Sequence, residues 1–525
     1  MKKIILTGFL GVFLLITSCN KFLEETPTDF VAPANYYTNE KEVFSALAGV
    51  YDILGKTGTY GRYLFFEMDM SDESYFGLSS TSQDIALLNY DIGDTKLLTT
   101  WSLLYEGINR ANMLLENIDK ADMPDNLREV YRGEALFLRA YYYFVLTTNW
   151  GRIPLRLSST KTPSEVDMAP ATYTEIYGQI ASDMETAADK VADITTFNNA
   201  GRVSKSAVWG VLARVNLKMA GAPLRDISRY AEAKKWAEKV INFGYHRLNA
   251  DYSQVFKNHA QGVYDTRESI WEVEFSYISG AQHEEGMVGS INGIGTSNTT
   301  VGYSYGAQRV MKPYYDLFDE DDERRDWNIN TYTYATAPST AQVPYAAGTA
   351  AIIYNRYASK WRREFEVSPQ KSTNTTVINF PLLRYADVLL MYAEADNMLP
   401  GNRSTQADEY VNMVRRRAFG KLKAGATDIE AADLSPGLDE VLFQQAIQKE
   451  RSFELGFEGL RRFDLIRWGT YILTMENLRT YKASANSSYQ FGFRTVENIS
   501  DRDTLFAIPR NEMTVNKLME QNNGW

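Results

Sequence analysis

The 525-residue chain contains one cysteine and three histidines. A single cysteine cannot build an intrachain disulfide framework or a multi-cysteine zinc or iron–sulfur site. Positive charge is outnumbered: 55 lysines and arginines face 66 aspartates and glutamates, for a formal net charge of −11. A protein that grips phosphate backbones carries a basic stripe, so nucleic acid is not an expected partner. No HExxH pair, phosphate-cradling loop or dinucleotide fingerprint occurs, and no metal or cofactor is expected. After the N-terminus, no apolar run is long enough to span ~30 Å of hydrocarbon. What is present is foldable. A balance of 44% hydrophobic, 23% charged and 13% aromatic residues excludes a disordered or collagen-like chain. The length exceeds the ~100–200 residues one core organises, which points to several cores or an extended repeat array.

The position of the lone cysteine is informative. Lys2 and Lys3 precede an apolar run from Ile4 to Ile16, too short to cross a bilayer but suited to the core of an export signal. Ile16-Thr17-Ser18-Cys19 resembles the lipobox of bacterial lipoproteins, in which the cysteine sulfur is acylated. Residues 1–18 are therefore expected to be a signal peptide, Cys19 the lipid attachment point and 19–40 a spacer. Several acyl chains, at ~0.8 kcal/mol per buried CH₂, would make the tether effectively permanent.

The body reads as paired helices. The pattern predicts helices over about Thr100–Ile118 and Leu127–Thr148, with Asp125 as N-cap of the second. Others are expected at Tyr173–Val191, Ser204–Met219 and Tyr230–Ile241. Tyr385, Val388, Leu389, Tyr392 and Ala393 form one apolar helix face, and further helices are expected at Gln406–Phe419, Leu438–Leu455 and Glu458–Leu478. Between about Asp251 and Asn379 the period is lost: Ser269–Tyr277 alternates like a strand, and Gly280–Gly306 is rich in Gly, Ser, Asn and Thr. The expected architecture is mainly α, a tetratricopeptide-like helical-pair scaffold carrying an irregular, partly β and loop, ligand-binding insertion. The expected divisions are a helical region at 41–250, the variable insertion at 251–379 and a second helical region at 380–525.

Three motifs invite chemistry and do not support it. Gly302-Tyr303-Ser304-Tyr305-Gly306 matches the nucleophile-elbow pattern, but His246, His259 and His283 all precede Ser304, against the order that motif requires. Asp319–Glu323 looks calcium-like yet lacks the central glycine and closing glutamate of an EF-hand loop, and reads as a helix terminus with local ion pairs. The charged block Glu450–Gly469 puts Glu450 on an apolar helix face, where a carboxylate needs partners; Arg461, Arg462 and Arg467 are the expected ones. This block, together with Arg384, Asp387 and Glu394, reads as structural ion pairing. A glycosidase needs only two carboxylates ~5–9.5 Å apart, and no pair is singled out.

Several segments together resemble the SusD/RagB family of surface nutrient-binding lipoproteins: "CNKFLEETP" (Cys19 to Pro27), "WSLLYEGINRAN" (Trp101 to Asn112), "GEALFLRAYYYFVLTTNWGRIPL" (Gly133 to Leu155), "GRVSKSAVWGVLARVNLKMA" (Gly201 to Ala220), "LLRYADVLLMYAEADN" (Leu382 to Asn397), "ERSFELGFEGLRRFDLIRWG" (Glu450 to Gly469) and the tail from Leu505 to Trp525. They occur in the family's order, with only about 251–379 weakly matched. The tail departs at Asn523 and Trp525, where the family commonly has proline and tyrosine. The resemblance implies an outer-membrane, lipid-anchored protein without catalysis or cofactor. Its partner would be a SusC-like TonB-dependent transporter, and its ligand an oligosaccharide or, in RagB-like members, a peptide. Lys21, Glu24 and Glu25 faintly resemble a surface-export signal. A glycoside hydrolase and a purely structural transporter partner are the other classes held open.

A sugar ring presents an apolar C–H face and a rim of hydroxyls, so it is met by an aromatic plate flanked by hydrogen-bonding groups. Two stretches offer these. The first contains Asp72, Tyr75, Phe76, Asn89 and Tyr90, in the part of the chain from which the family's sugar contacts tend to come. The second contains Tyr303, Tyr305, Trp327, Tyr332 and Tyr334.

Overall fold

The computed structural model describes residues 36–162, 165–277, 286–345, 353–401 and 403–525. The export signal, the lipobox and Cys19 lie outside the described residues, as does His283. The helices of eight or more residues are α1 (Glu40–Tyr51), α2 (Thr95–Asn117), α3 (Asp125–Trp150), α4 (Tyr173–Lys190), α5 (Lys205–Ala220), α6 (Arg229–Asn242), α7 (Tyr252–Gln261), α8 (Tyr385–Asn397), α9 (Thr405–Ala418), α10 (Glu440–Leu455) and α11 (Arg461–Trp468). No helix among the described residues is long and apolar enough to cross a membrane.

Local chemistry sets most of the boundaries. Asp94 caps α2 by accepting from the Lys96 and Leu97 amides, and Thr172 and Glu175 form a reciprocal capping box on α4. Asp125 is the first residue inside α3 and not its cap, a place held by Pro124. The expected Glu458–Leu478 helix is broken: α11 ends at Gly469, whose φ of 75° gives the left-handed cap that favours glycine, and a short helix resumes over Tyr471–Asn477.

The helices stack in sequence. α2 packs on α3, α3 on α4, α4 on α5 and α5 on α6; α6 then meets α8, which also carries α9 and α10. As the all-round apolar pattern of its second half implies, α3 is buried from Ala135 to Thr148 except at Leu136. Every residue of α8 is buried, since neighbours surround it.

The strands are short and join distant parts of the chain. They are β1 (Ser74–Phe76), β2 (Ser269–Val273), β3 (Gln308–Val310), β4 (Tyr332–Tyr334), β5 (Gln342–Pro344) and β6 (Phe380–Arg384), paired antiparallel as β1–β3, β2–β6 and β4–β5. β2 does not alternate in burial. All five of its residues are buried, because β6 covers one edge and the Glu272 amide bonds the Ala200 carbonyl. The irregular middle is thereby fixed at two places: β2–β6 ties its base to the start of α8, and β1–β3 sets Tyr75 opposite Arg309. It also contains a helix, α7, that periodicity did not reveal.

Candidate ligand-binding site

Charged residues come first, because most of the acidic and basic side chains of the C-terminal block are buried. The arginines and carboxylates of the C-terminal block close on one another inside the protein. Arg384 meets Glu268, Glu454 and Glu458 at 3.3, 2.9 and 2.7 Å. Arg417 pairs with Glu268 and Glu454, and Lys360 with Glu458 at 2.8 Å. Glu450 pairs with Arg324 at 2.5 Å and Arg415 at 3.3 Å, so its partners come from the irregular middle and α9, in place of the expected Arg461, Arg462 and Arg467. A second chain runs Arg214–Asp387–Arg451–Asp464–Arg467–Glu394. Burial alone would raise the Glu454 carboxyl, but Arg417, Arg384 and Arg324 outweigh it and hold its pKa at about 2. The same balance, with Arg214 and Arg451, puts Asp387 at about 2. Charges so buried and so fully paired lock elements together, in keeping with the structural reading.

The nucleophile-like and calcium-like motifs resolve similarly. Ser304 is buried and donates to the Ser290 carbonyl at 3.0 Å. Asp322 caps the short helix Glu323–Asn328 and pairs with Arg324 at 2.7 Å. Among the described residues no cluster of three or more acidic, histidine or cysteine side chains could hold a metal ion.

The aromatic candidates divide. Tyr75 and Phe76 are 1% and 3% exposed; the Tyr75 hydroxyl donates to the Tyr354 carbonyl, and Phe76 stacks on Phe66. Tyr90, 6% exposed, packs on the C-terminal Trp525 at 4.6 Å. Tyr332, 7% exposed, donates to Glu364 and meets the half-buried Tyr334 edge-on. These rings pack the body and offer no open plate. Asp72 is held bidentately by Arg461 at 2.8 Å. Asn89 is exposed, with its side-chain amide donating to the Ser82 carbonyl. Trp327, half-buried, lines a polar cleft of about 250 Å³ with Asp251, Glu323 and Lys423, but Arg362 lies over its ring at 4.0 Å and Phe365 stacks at 5.9 Å.

Tyr303 and Tyr305 are different. Tyr305 is 38% exposed and stands edge-to-face with the half-buried Tyr303 at 5.0 Å. Its hydroxyl donates to Asn374 Oδ1 at 2.6 Å, which fixes the ring. The next residue, Gly306, takes φ 55°, and a Cβ there would come within 2.5 Å of the Tyr357 ring. The left-handed turn, free of a side chain, therefore lets the Tyr357 ring pack on the backbone that follows Tyr305. Arg309 lies over Tyr357 at 4.8 Å and donates to Asn355 Oδ1 at 2.6 Å. Arg356 lies over Tyr315 and Tyr345, and its Nε and Nη1 make no hydrogen bond among the described residues. This part of the chain thus carries tyrosine rings, amides and guanidiniums, and among the described residues neither Arg309 nor Arg356 has a carboxylate within ion-pair distance. Sequence reasoning placed Tyr303 and Tyr305 here but missed Arg309, Asn355, Tyr357 and Asn374. The only sequence signal for Tyr357 was indirect: the glycines at 295 and 306, against which its ring packs.

A SusD-family model matches residues 267–525, and a second model, described as starch-binding and associating with the outer membrane, matches residues 21–217. A solved SusD homolog from Bacteroides thetaiotaomicron is 30% identical, with a TM-score of 0.86 over 94% of this chain and 98% of its own. The chain belongs to the SusD family. SusD-like protein P25 of Formosa agariphila is 27% identical over 98% of both chains. A laminarin-binding SusD-like protein, 22% identical, shares the fold at a TM-score of 0.70 over 93% of this chain and all of its own. The mainly α architecture expected from periodicity is thus the SusD fold, and the open tyrosines of this family member sit in the part of the chain where its own pattern is least regular.

Proposed function

We propose that the protein is a non-catalytic, lipid-anchored glycan-binding protein of the outer membrane. It captures an oligosaccharide on the Tyr303–Tyr305 face and passes it to a SusC-like TonB-dependent transporter. The observation that carries the glycan reading is the open Tyr305 ring, braced by Tyr303 and Asn374, with Arg309 and Asn355 linked to it through Tyr357, whose ring packs on Gly306. A pyranose C–H face would lie on Tyr305, with its hydroxyls reaching the amides and the guanidinium. The family description supports the ligand class and the membrane, and the sequence of residues 1–19 supports the anchor. The carboxylates of the C-terminal block are closed on arginines, which supports binding without hydrolysis.

Calorimetry against a panel of oligosaccharides tests the reading. Saturable binding without release of reducing ends is expected. If peptides bind and no glycan does, the RagB-like reading replaces this one; if a glycan is cleaved and a carboxylate variant stops it, the protein is a hydrolase. Cys19→Ala should move the protein out of the membrane fraction, and retention there would overturn the anchor.

A further inference from the structure

A cavity of about 210 Å³ lies where α3, α5 and the end of α11 meet. Its walls are mostly apolar, with Ile466, Ile472 and Leu505 among them, and at its rim the exposed Pro223 leaves it reachable from solvent. Lys218 of α5 borders it. That side chain is 2% exposed, and its ammonium donates to the Ala222 carbonyl at 2.9 Å, with no carboxylate within ion-pair distance among the described residues. The contrast with Lys360 is direct, since Lys360 is equally buried but pairs with Glu458.

The surroundings add positive charge. Arg467 and Arg462 both repel the Lys218 ammonium; together with burial, the largest cause, they push its pKa down to about 7. Arg467 is closed by Glu394 and Asp464, but Arg462 donates to Asn149 and to the Asp503 and Thr504 carbonyls, all neutral acceptors. Asp69, whose carboxylate accepts from the Arg462 amide, is driven toward its neutral form by burial and by Glu73. A second polar group borders the same space. The buried Thr148 hydroxyl lies close to the Tyr177 phenol but makes no hydrogen bond of good geometry. An ammonium without a counter-charge and a hydroxyl whose one neighbour, the Tyr177 phenol, is poorly aligned, both bordering an apolar cavity, are what a carboxylate with a short carbon body would satisfy.

We propose that this cavity is a second ligand site, for a small monocarboxylate whose carboxylate meets Lys218 and Thr148 and whose carbon body lies among Ile466, Ile472 and Leu505. A cavity of ~150 Å³ holds a benzene ring, so this one accommodates roughly six to nine non-hydrogen atoms. The site shares no residue with the tyrosine face and stands or falls apart from it.

The test is calorimetry on the full-length protein with benzoate and pentanoate, and with benzyl alcohol and pentanol as neutral counterparts. At least one carboxylate should bind saturably at one site, at least tenfold tighter than its alcohol. Lys218→Met should weaken that binding at least tenfold. Ile472→Trp, which fills the rim while keeping the lysine, should do the same, and circular dichroism should show both variants folded. If neither carboxylate saturates, if the alcohols bind as well, or if either folded variant binds like the parent protein, the proposal is wrong.

Discussion

Two regions of this molecule use arginine and tyrosine in opposite ways. At the seam between the irregular middle and the helical scaffold, Arg324, Arg384 and Arg417 are closed by Asp322, Glu268, Glu450, Glu454 and Glu458. On the tyrosine face, Arg309 is held by Asn355 and by the Tyr357 ring, neither of which cancels its charge. A buried guanidinium with matched carboxylates is finished chemistry: it fixes geometry and has nothing left to offer a ligand. One held by neutral groups keeps its charge and its shape ready. Residue type therefore separates the two regions poorly, and the identity of the partner separates them well.

The largest effect should come from breaking the seam. Glu454→Gln keeps the shape but leaves three buried arginines short of a counter-charge. It should cost about 3–5 kcal/mol, the scale on which unpaired buried charges are felt. Denaturant titration reads this loss. A variant within 1 kcal/mol of the parent would remove the seam from the account.

Acid sharpens the same point. Glu454 and Asp387, both at about 2, sit below their ordinary carboxylate values, so their contribution is complete above about pH 4.5 and is lost as pH falls through 2. Glu73 acts with the other sign. Burial raises its pKa to about 8, so its contribution is complete below about pH 4.5 and disappears as pH rises through 8. Glu73→Gln should flatten the decline between pH 5 and 8 while leaving the acid limb intact, as urea midpoints across pH would show.

On the tyrosine face, stability should hardly move while affinity does. Tyr305→Ala should change stability by less than ~0.5 kcal/mol, as surface substitutions do. It should weaken glycan binding about tenfold, the scale of removing a central aromatic contact. Asn374→Ala should have the smallest effect. It removes one hydrogen bond that braces the ring, worth ~0.5–1.5 kcal/mol, and should weaken binding a few-fold.

How much of this was legible in the sequence follows from the range of each signal. Helix periodicity is local, and α8 and the buried half of α3 were read from it directly. The burial of Glu450 was legible for the same reason, since its place on an apolar helix face is a local fact. Its partners were not. Arg324 lies 126 positions away, while the expected Arg461 reaches back instead to Asp72, 389 positions away. Pairing over such distances depends on the tertiary fold and leaves no period in the chain. The aromatic candidates divide into buried and open rings on the same ground. Tyr75, Tyr90 and Tyr305 carry one ring chemistry, and composition does not show that β1 buries the first, that the tail's Trp525 covers the second, or that a left-handed Gly306 presents the third.

The central claim is that the open tyrosines bind glycan and that the closed charges of the seam do not. Calorimetry of the Tyr303→Ala/Tyr305→Ala double variant, titrated with whichever oligosaccharide binds the parent protein, tests it most directly. The account predicts that binding is lost while the denaturation midpoint stays where it was. Unchanged affinity in the folded double variant would contradict it.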